Sequence, residues 1–158
     1  MDIQTQEFIL RIFVAAVLGG IIGLEREYRE KAAGFRTHFL VALGSALFMI
    51  LSQFGFDEAI RTLPNVSLDP SRIASQVVTG IGFLGAGTIM LTKNSVKGLT
   101  TAAGIWVTAA IGLACGSGMY IIAVTCTALV LIGLEAFNFF LHWMDRKRDA
   151  ETESKNQE

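Results

Sequence analysis

Five long apolar blocks dominate this chain, at residues 8–24, 37–54, 73–91, 99–116 and 119–143. A bilayer core of ~30 Å takes about 20 helical residues at ~1.5 Å rise each, with ~17 as the lower end. Each block therefore suffices for one crossing, and what remains makes short polar connections and a tail. Hydrophobic residues are 52% of the chain and charged residues only 17%, below the ~25% usual in soluble domains. The blocks are apolar all round instead of along one stripe, as in helices buried in lipid or among other helices. The expected fold is an all-α membrane protein, a bundle of five transmembrane helices.

The formal net charge of −1 hides how the charges are sorted. Arg26, Arg29, Lys31 and Arg36 lie between the first two blocks, and Lys93 and Lys97 between the third and fourth. Arg146, Lys147, Arg148 and Lys155 follow the fifth, whereas the alternate connections hold only Arg61 and Arg72. The positive-inside rule then places the amino terminus outside and the carboxy terminus in the cytoplasm. Asp2 and Glu7 stand where a cleavable signal would carry positive charge, so the first block reads as a retained helix.

Residues 1–143 form one membrane domain on this reading, and 144–158 form a short polar cytoplasmic tail with no soluble carboxy-terminal domain. The longest connection, 55–72, ends in Asp69-Pro70-Ser71-Arg72. Asp69 can cap free amides there, and proline needs no donor at the first helical position. Cys115 and Cys126 have no metal-ligand spacing and read as small packing residues.

Small residues mark the expected helix contacts. Gly19 and Gly23 have the Gly-x-x-x-Gly spacing that lets another backbone approach. Ser75, Thr79, Gly82 and Ala86 share one face of the third helix, and Thr101, Gly104, Thr108, Gly112 and Gly116 one face of the fourth. These two faces are expected to meet each other or a second subunit; a tight permeation or sensing path is the functional alternative. Gly80, Gly82 and Gly85 spell a dinucleotide-binding pattern, but in mid-block and without the strand and helix start that give it meaning. With Gly87 they are read as packing positions or as a local break in the helix.

Polar groups within apolar blocks are costly and need a partner or a task. Arg11 can snorkel to the outer headgroups. Glu25, Arg26, Arg36 and Thr37 flank the first connection and can form an ion-pair cluster; alternatively, Glu25 helps to hold a cation. Arg72 pairs with Asp69 on the simplest reading, with Gln76 one turn away. Glu135 lies about 12 Å inward from Trp143 at ~1.5 Å per residue. A carboxyl group there is either neutral or paired, with Asn138 as local partner, or part of a cation or proton path. His38 and His142 read as interfacial residues. No catalytic set and no basic groove for nucleic acid is present, so neither an enzyme nor a nucleic-acid partner is expected.

Three stretches carry a resemblance: GGIIGLEREYREKAAGFRTHFLVALGSALF (19–48), DPSRIASQVVTGIGFLGAGTIM (69–90) and VKGLTTAAGIWVTAAIGLACGSG (96–118). In this order they resemble the MgtC/SapB family of bacterial inner-membrane proteins. The resemblance implies a five-helix membrane domain linked to growth in low magnesium and, in some members, to survival inside host cells. It implies a modulator of a larger machine, such as a cation-transporting ATPase or the ATP synthase. Matching the motifs makes Glu25, Arg26, Arg36, Thr37, Arg72, Gln76, Thr100 and Thr101 the functional candidates. Two departures stand out. Longer members carry a soluble carboxy-terminal domain, and some of the virulence branch have Asn in the slot of Thr100.

Three functions remain open: a regulatory subunit, a magnesium transporter or channel, and a structural or envelope-stress factor. Magnesium prefers oxygen ligands and gives up water reluctantly. The available carboxylates, Glu25, Glu135, Asp69, Asp57 and Glu58, are spread over three levels, with Glu25 and Glu135 as the metal candidates. No cofactor is expected, with Mg the one possible ion. The expected surroundings are the lipid bilayer of the inner membrane and a second copy of the chain as a homodimer.

Overall fold

The structure is a computed structural model, and it describes residues 3–56, 62, 69–93 and 95–135. Among these, five helices and one hairpin follow in order. They are α1 (Ile3–Tyr28), α2 (Phe35–Phe54), α3 (Ser71–Gly87), β1 (Met90–Thr92), β2 (Ser95–Lys97), α4 (Leu99–Gly116) and α5 (Tyr120–Glu135). Helices α1, α2 and α4 are long and apolar enough to cross a membrane. Helix α5 is apolar but shorter over the described residues, and α3, at 17 residues, is not among the helices long and apolar enough to cross. The expected positions at 57, 58, 61, 138, 142 and 143 and the tail from 144 lie outside the described residues.

Successive helices run in opposite directions. The carboxy-terminal end of α1, the start of α2, the end of α3, the start of α4 and Glu135 of α5 gather at one end of the bundle. There Arg29 binds Glu135, a Cβ at Gly104 would stand 3.5 Å from His38, and Gly85 lies against Ala102. At the other end Tyr120 donates to Glu7, Arg11 to the Gly116 carbonyl, and Ser52 to the Pro70 carbonyl. The cations sorted together in sequence, from Arg26 to Arg36 with Lys93 and Lys97, thus share the first end.

Small and hydroxyl side chains share the interior with a few aliphatic ones such as Ile22, Ile105 and Ile111. Ala15, Ala16, Ala42, Ala46, Ala109 and Ala123 are buried with Ser45, Thr101, Thr108 and Thr127, while Phe13, Phe83, Trp106, Ile121 and Leu129 point outward. That distribution suits lipid, where burial gains little and close backbone packing holds helices together. Gly19 and Gly23 seat α1 on α2: a Cβ at Gly19 would stand 2.5 Å from Ala42 Cβ, and one at Gly23 2.7 Å from Phe35 Cα. On α4, Gly116 lies equally close to α2: a Cβ there would stand 2.6 Å from the Ala46 carbonyl oxygen. Thr108 and Thr127 return their hydroxyls to carbonyls one turn back, so neither leaves a donor loose.

Several expectations need correction. The small-residue face of α4 packs on α2, not on α3. Helix α3 meets α4 instead through Ile81 and Gly85, which face Ile105, Ala109 and Ala102. Its stripe of Ser75, Thr79, Gly82 and Ala86 is exposed, and a Cβ at Gly80, Gly82 or Gly87 would meet nothing within 4 Å. No local break occurs: α3 is continuous from Ser71 to Gly87. It stops before 91 because the chain turns into the hairpin, with Met90, Leu91 and Thr92 paired to Lys97, Val96 and Ser95. Gly98 ends the hairpin at φ 91°, with its Cα against Thr88, a conformation and a space that both favour glycine. Helix α1 outruns its apolar block at both ends, since Gln, Glu and Arg are good helix formers outside as well as inside a membrane.

Candidate functional site

The ionic cluster at the first end starts from two neighbours in α1. Arg26 is 2% exposed, and Glu25 neutralises it through two hydrogen bonds, Nε to Oε2 and Nη2 to Oε1, the latter 2.6 Å. A guanidinium buried this deeply is tolerable only when its charge is paired and its donors are engaged. Just beyond α1, Arg29 Nε lies 3.7 Å from Glu25 Oε1, and Arg29 Nη2 binds both oxygens of Glu135. Arg29 therefore joins the carboxylates of α1 and α5. The Glu135 hydrogen bond raises its pKa above the ordinary arginine value, burial opposes this, and the charges of Glu135 and Glu25 add to the rise.

Glu27 has a different task. Its Oε2 accepts the Phe35 amide at 2.8 Å, one of the free amides that open α2, where Gly34 has no side chain to offer. Four residues into α2, His38 is fully buried. Its Nδ1 lies 3.0 Å from the Gly34 carbonyl, and its Nε2 is without a hydrogen-bond partner against Gly104 of α4. Thr101, one turn before Gly104, is also buried, whereas Thr100 is exposed. The buried imidazole thus stands apart from the hydrogen bonds of the Glu25–Arg26 pair, in the bundle interior.

The sequence-derived candidates divide between the two ends. Glu25, Arg26, Thr37, Thr101 and Glu135 lie at this end, with Thr37 half-buried. Arg36 is exposed and takes no place in the ion-pair cluster expected of it; Arg29 occupies that role. Glu135 is paired, as one of its two readings required, and the partner is Arg29 at the end of α1. Asp69, Arg72 and Gln76 lie at the opposite end, around the start of α3. Asp69 Oδ1 accepts the Ser71 amide at 3.0 Å and its hydroxyl at 2.6 Å, bonds that hold the carboxyl below its usual pKa. Asp69 therefore caps α3, while Arg72 is exposed. Gln76 lines an apolar groove of about 430 Å³ between α2 and α3, together with Ser45 and Gly80.

Sequence reasoning passed over Arg29, Glu27 and the burial of His38. A histidine within one turn of Gly34, in an apolar helix facing a glycine-rich one, was the available signal. Arg11 does not simply reach for headgroups: its partners are Glu7 Oε1 at 3.2 Å, the Gly116 carbonyl at 2.9 Å, and the rings of Phe8 and Phe54. It sits at the carboxy-terminal end of α4, where a cation complements the helix dipole. Among the described residues, no three His, Cys, Asp or Glu side chains gather as they would around a metal ion.

The profile of the MgtC family matches residues 12–143. The chain belongs to the MgtC family. It is 54% identical over 135 residues to the Escherichia coli K12 protein named "Putative magnesium transporter YhiD", covering 85% of this chain and 62% of that one. Protein MgtC of Salmonella typhimurium LT2 is 44% identical over 124 residues, or 78% of this chain and 49% of that one. An uncharacterized Synechocystis protein, slr0014, is also 44% identical, covering 82% of this chain and 51% of its own length. The chain thus spans about half to three-fifths of the length of these relatives. No solved structure matches it. Family membership and the three long apolar helices together establish a membrane protein.

Proposed function

We propose that this MgtC-family chain is a non-catalytic regulatory subunit in magnesium homeostasis. It acts on a larger machine of the bacterial inner membrane, such as a cation-transporting ATPase or the ATP synthase. One observation carries the reading: Glu25 and Glu135, the two metal candidates of the sequence, are both engaged by guanidinium groups. Magnesium would need several free oxygens in near-octahedral geometry. Here it would first have to displace Arg26 and Arg29. The cluster instead fastens α1 to α5 and keeps the bundle rigid at one end.

The chain crosses the membrane five times on this reading, with its amino terminus outside. What supports the orientation is the gathering of Arg26, Arg29, Lys31, Arg36, Lys93 and Lys97 at one end. The exposed stripe of Ser75, Thr79, Gly82 and Ala86 is the surface we assign to a homodimer or to the regulated machine. Affinity purification of the tagged chain from cells grown in low magnesium tests the proposal. Co-elution of an ATP-hydrolysing membrane complex, lost when Gly82 is replaced by Leu, is expected. Recovery of the folded chain with no such complex would count against it. A second reading, transport by the chain itself, is favoured by the similarity to the Escherichia coli protein named "Putative magnesium transporter YhiD".

A further inference from the structure

The β1–β2 hairpin is the one sheet among the described residues, and its surface is sorted by chemistry. Leu91 and Val96 are cross-strand partners, so their side chains share a face, and they are 82% and 51% exposed. The opposite face holds Met90 and Lys97 with Thr92 and Ser95, whose hydroxyls lie 2.8 Å apart. Lys93 follows β1 directly, and residues 88–99 include no acidic side chain. The hairpin therefore has one apolar face, a mixed back of Met90, Thr92, Ser95 and Lys97, and two lysines with no acidic residue within its own sequence. It also joins the ends of two bundle helices, so a bilayer surface lies beside it.

We propose that this hairpin docks on anionic lipid headgroups, with Leu91 and Val96 dipping into the interface and Lys93 and Lys97 binding phosphates. An exposed apolar pair costs free energy in water and is at home at the headgroup–acyl boundary. Lysines can lay their stems along that boundary while their ammonium groups reach the phosphates. Free phosphate would satisfy the lysines but leave the apolar pair in water; a lipid satisfies both. Positive charge at the hairpin and negative charge at the lipid surface thus complement each other.

A fluorophore at Leu91→Cys, in the full chain with Cys115→Ala and Cys126→Ala, tests this in nanodiscs. Discs of phosphatidylcholine are compared with discs that also contain phosphatidylglycerol. With phosphatidylglycerol we expect blue-shifted emission that is quenched by headgroup-level spin-labelled lipid. Changing Lys93→Gln and Lys97→Gln should increase the undocked population about fivefold per lysine. A label at Phe83→Cys, on the outward face of α3, must be quenched in every disc and so reports an intact bundle. Emission from position 91 that ignores phosphatidylglycerol or the two lysines, with position 83 still quenched, would overturn the proposal. So would shielding that follows the protein-to-lipid ratio, because a second copy would then be the cover.

Discussion

Replacing Gly19 by Ala places a methyl group where α1 and α2 already touch. The new Cβ would stand 2.5 Å from Ala42 Cβ and 2.6 Å from the His38 carbonyl oxygen. Carbon atoms pack at about 3.5–4.0 Å, so the helices must part by roughly 1 Å or more along this seam. Overpacking of that order costs about 1–3 kcal/mol. Because α2 also carries α4, the strain spreads into the second seam. Gly82→Ala is the matched control, since its Cβ meets nothing within 4 Å. It should be neutral or stabilise the helix by up to ~1 kcal/mol. The propensity gain is common to both, so the two variants should differ by about 1–3 kcal/mol in stability measured by reversible unfolding in mixed micelles. Adding Ala42→Gly to Gly19→Ala should recover only part of the loss, because the His38 carbonyl remains in place. Equal stability of Gly19→Ala and Gly82→Ala would refute the close approach of α1 to α2.

Three further outcomes follow from named contacts. Arg26→Ala leaves the Glu25 carboxylate without its main partner and should cost about 3–5 kcal/mol in the same unfolding measurement. Arg11→Ala removes the donor to the Gly116 carbonyl and the cation beside the paired Phe8 and Phe54 rings. It should cost about 2–3 kcal/mol, with Arg11→Lys recovering part. Asp69 titrates below its usual range because Ser71 binds its charged form. Its contribution is therefore present above the ordinary aspartate pKa of ~3.9 and is lost as pH falls through the lower folded value. The stability gap between wild type and Asp69→Ala should close below about pH 4 when both are unfolded across that range.

The helices were legible where composition alone decides them. Residues 99–116 matched α4 at both ends because Gly98 and Ser117 bound an unbroken apolar run. Asp69-Pro70-Ser71 announced the start of α3 through local chemistry, and the structure uses the aspartate as its cap. The end of α3 was not legible, because Met90 and Leu91 continue the apolar block while pairing as a strand. Hydropathy reports how greasy a residue is and not which backbone it adopts. Side-chain pairing was the other blind spot. Glu135 finds Arg29 across 106 positions of sequence, and His38 is buried because α4 offers a glycine at the facing level. Periodicity placed small residues on a face of α3 and of α4; only the packed structure shows that α2 takes the second and leaves the first open.

Magnesium flux into proteoliposomes holding this chain alone, compared with Glu25→Gln and Glu135→Gln, is the most direct test of regulation against transport. Regulation predicts no flux above protein-free vesicles from folded wild-type protein, and none from either variant. Flux in the wild type that either substitution abolishes would make the chain a transporter and would contradict the proposal.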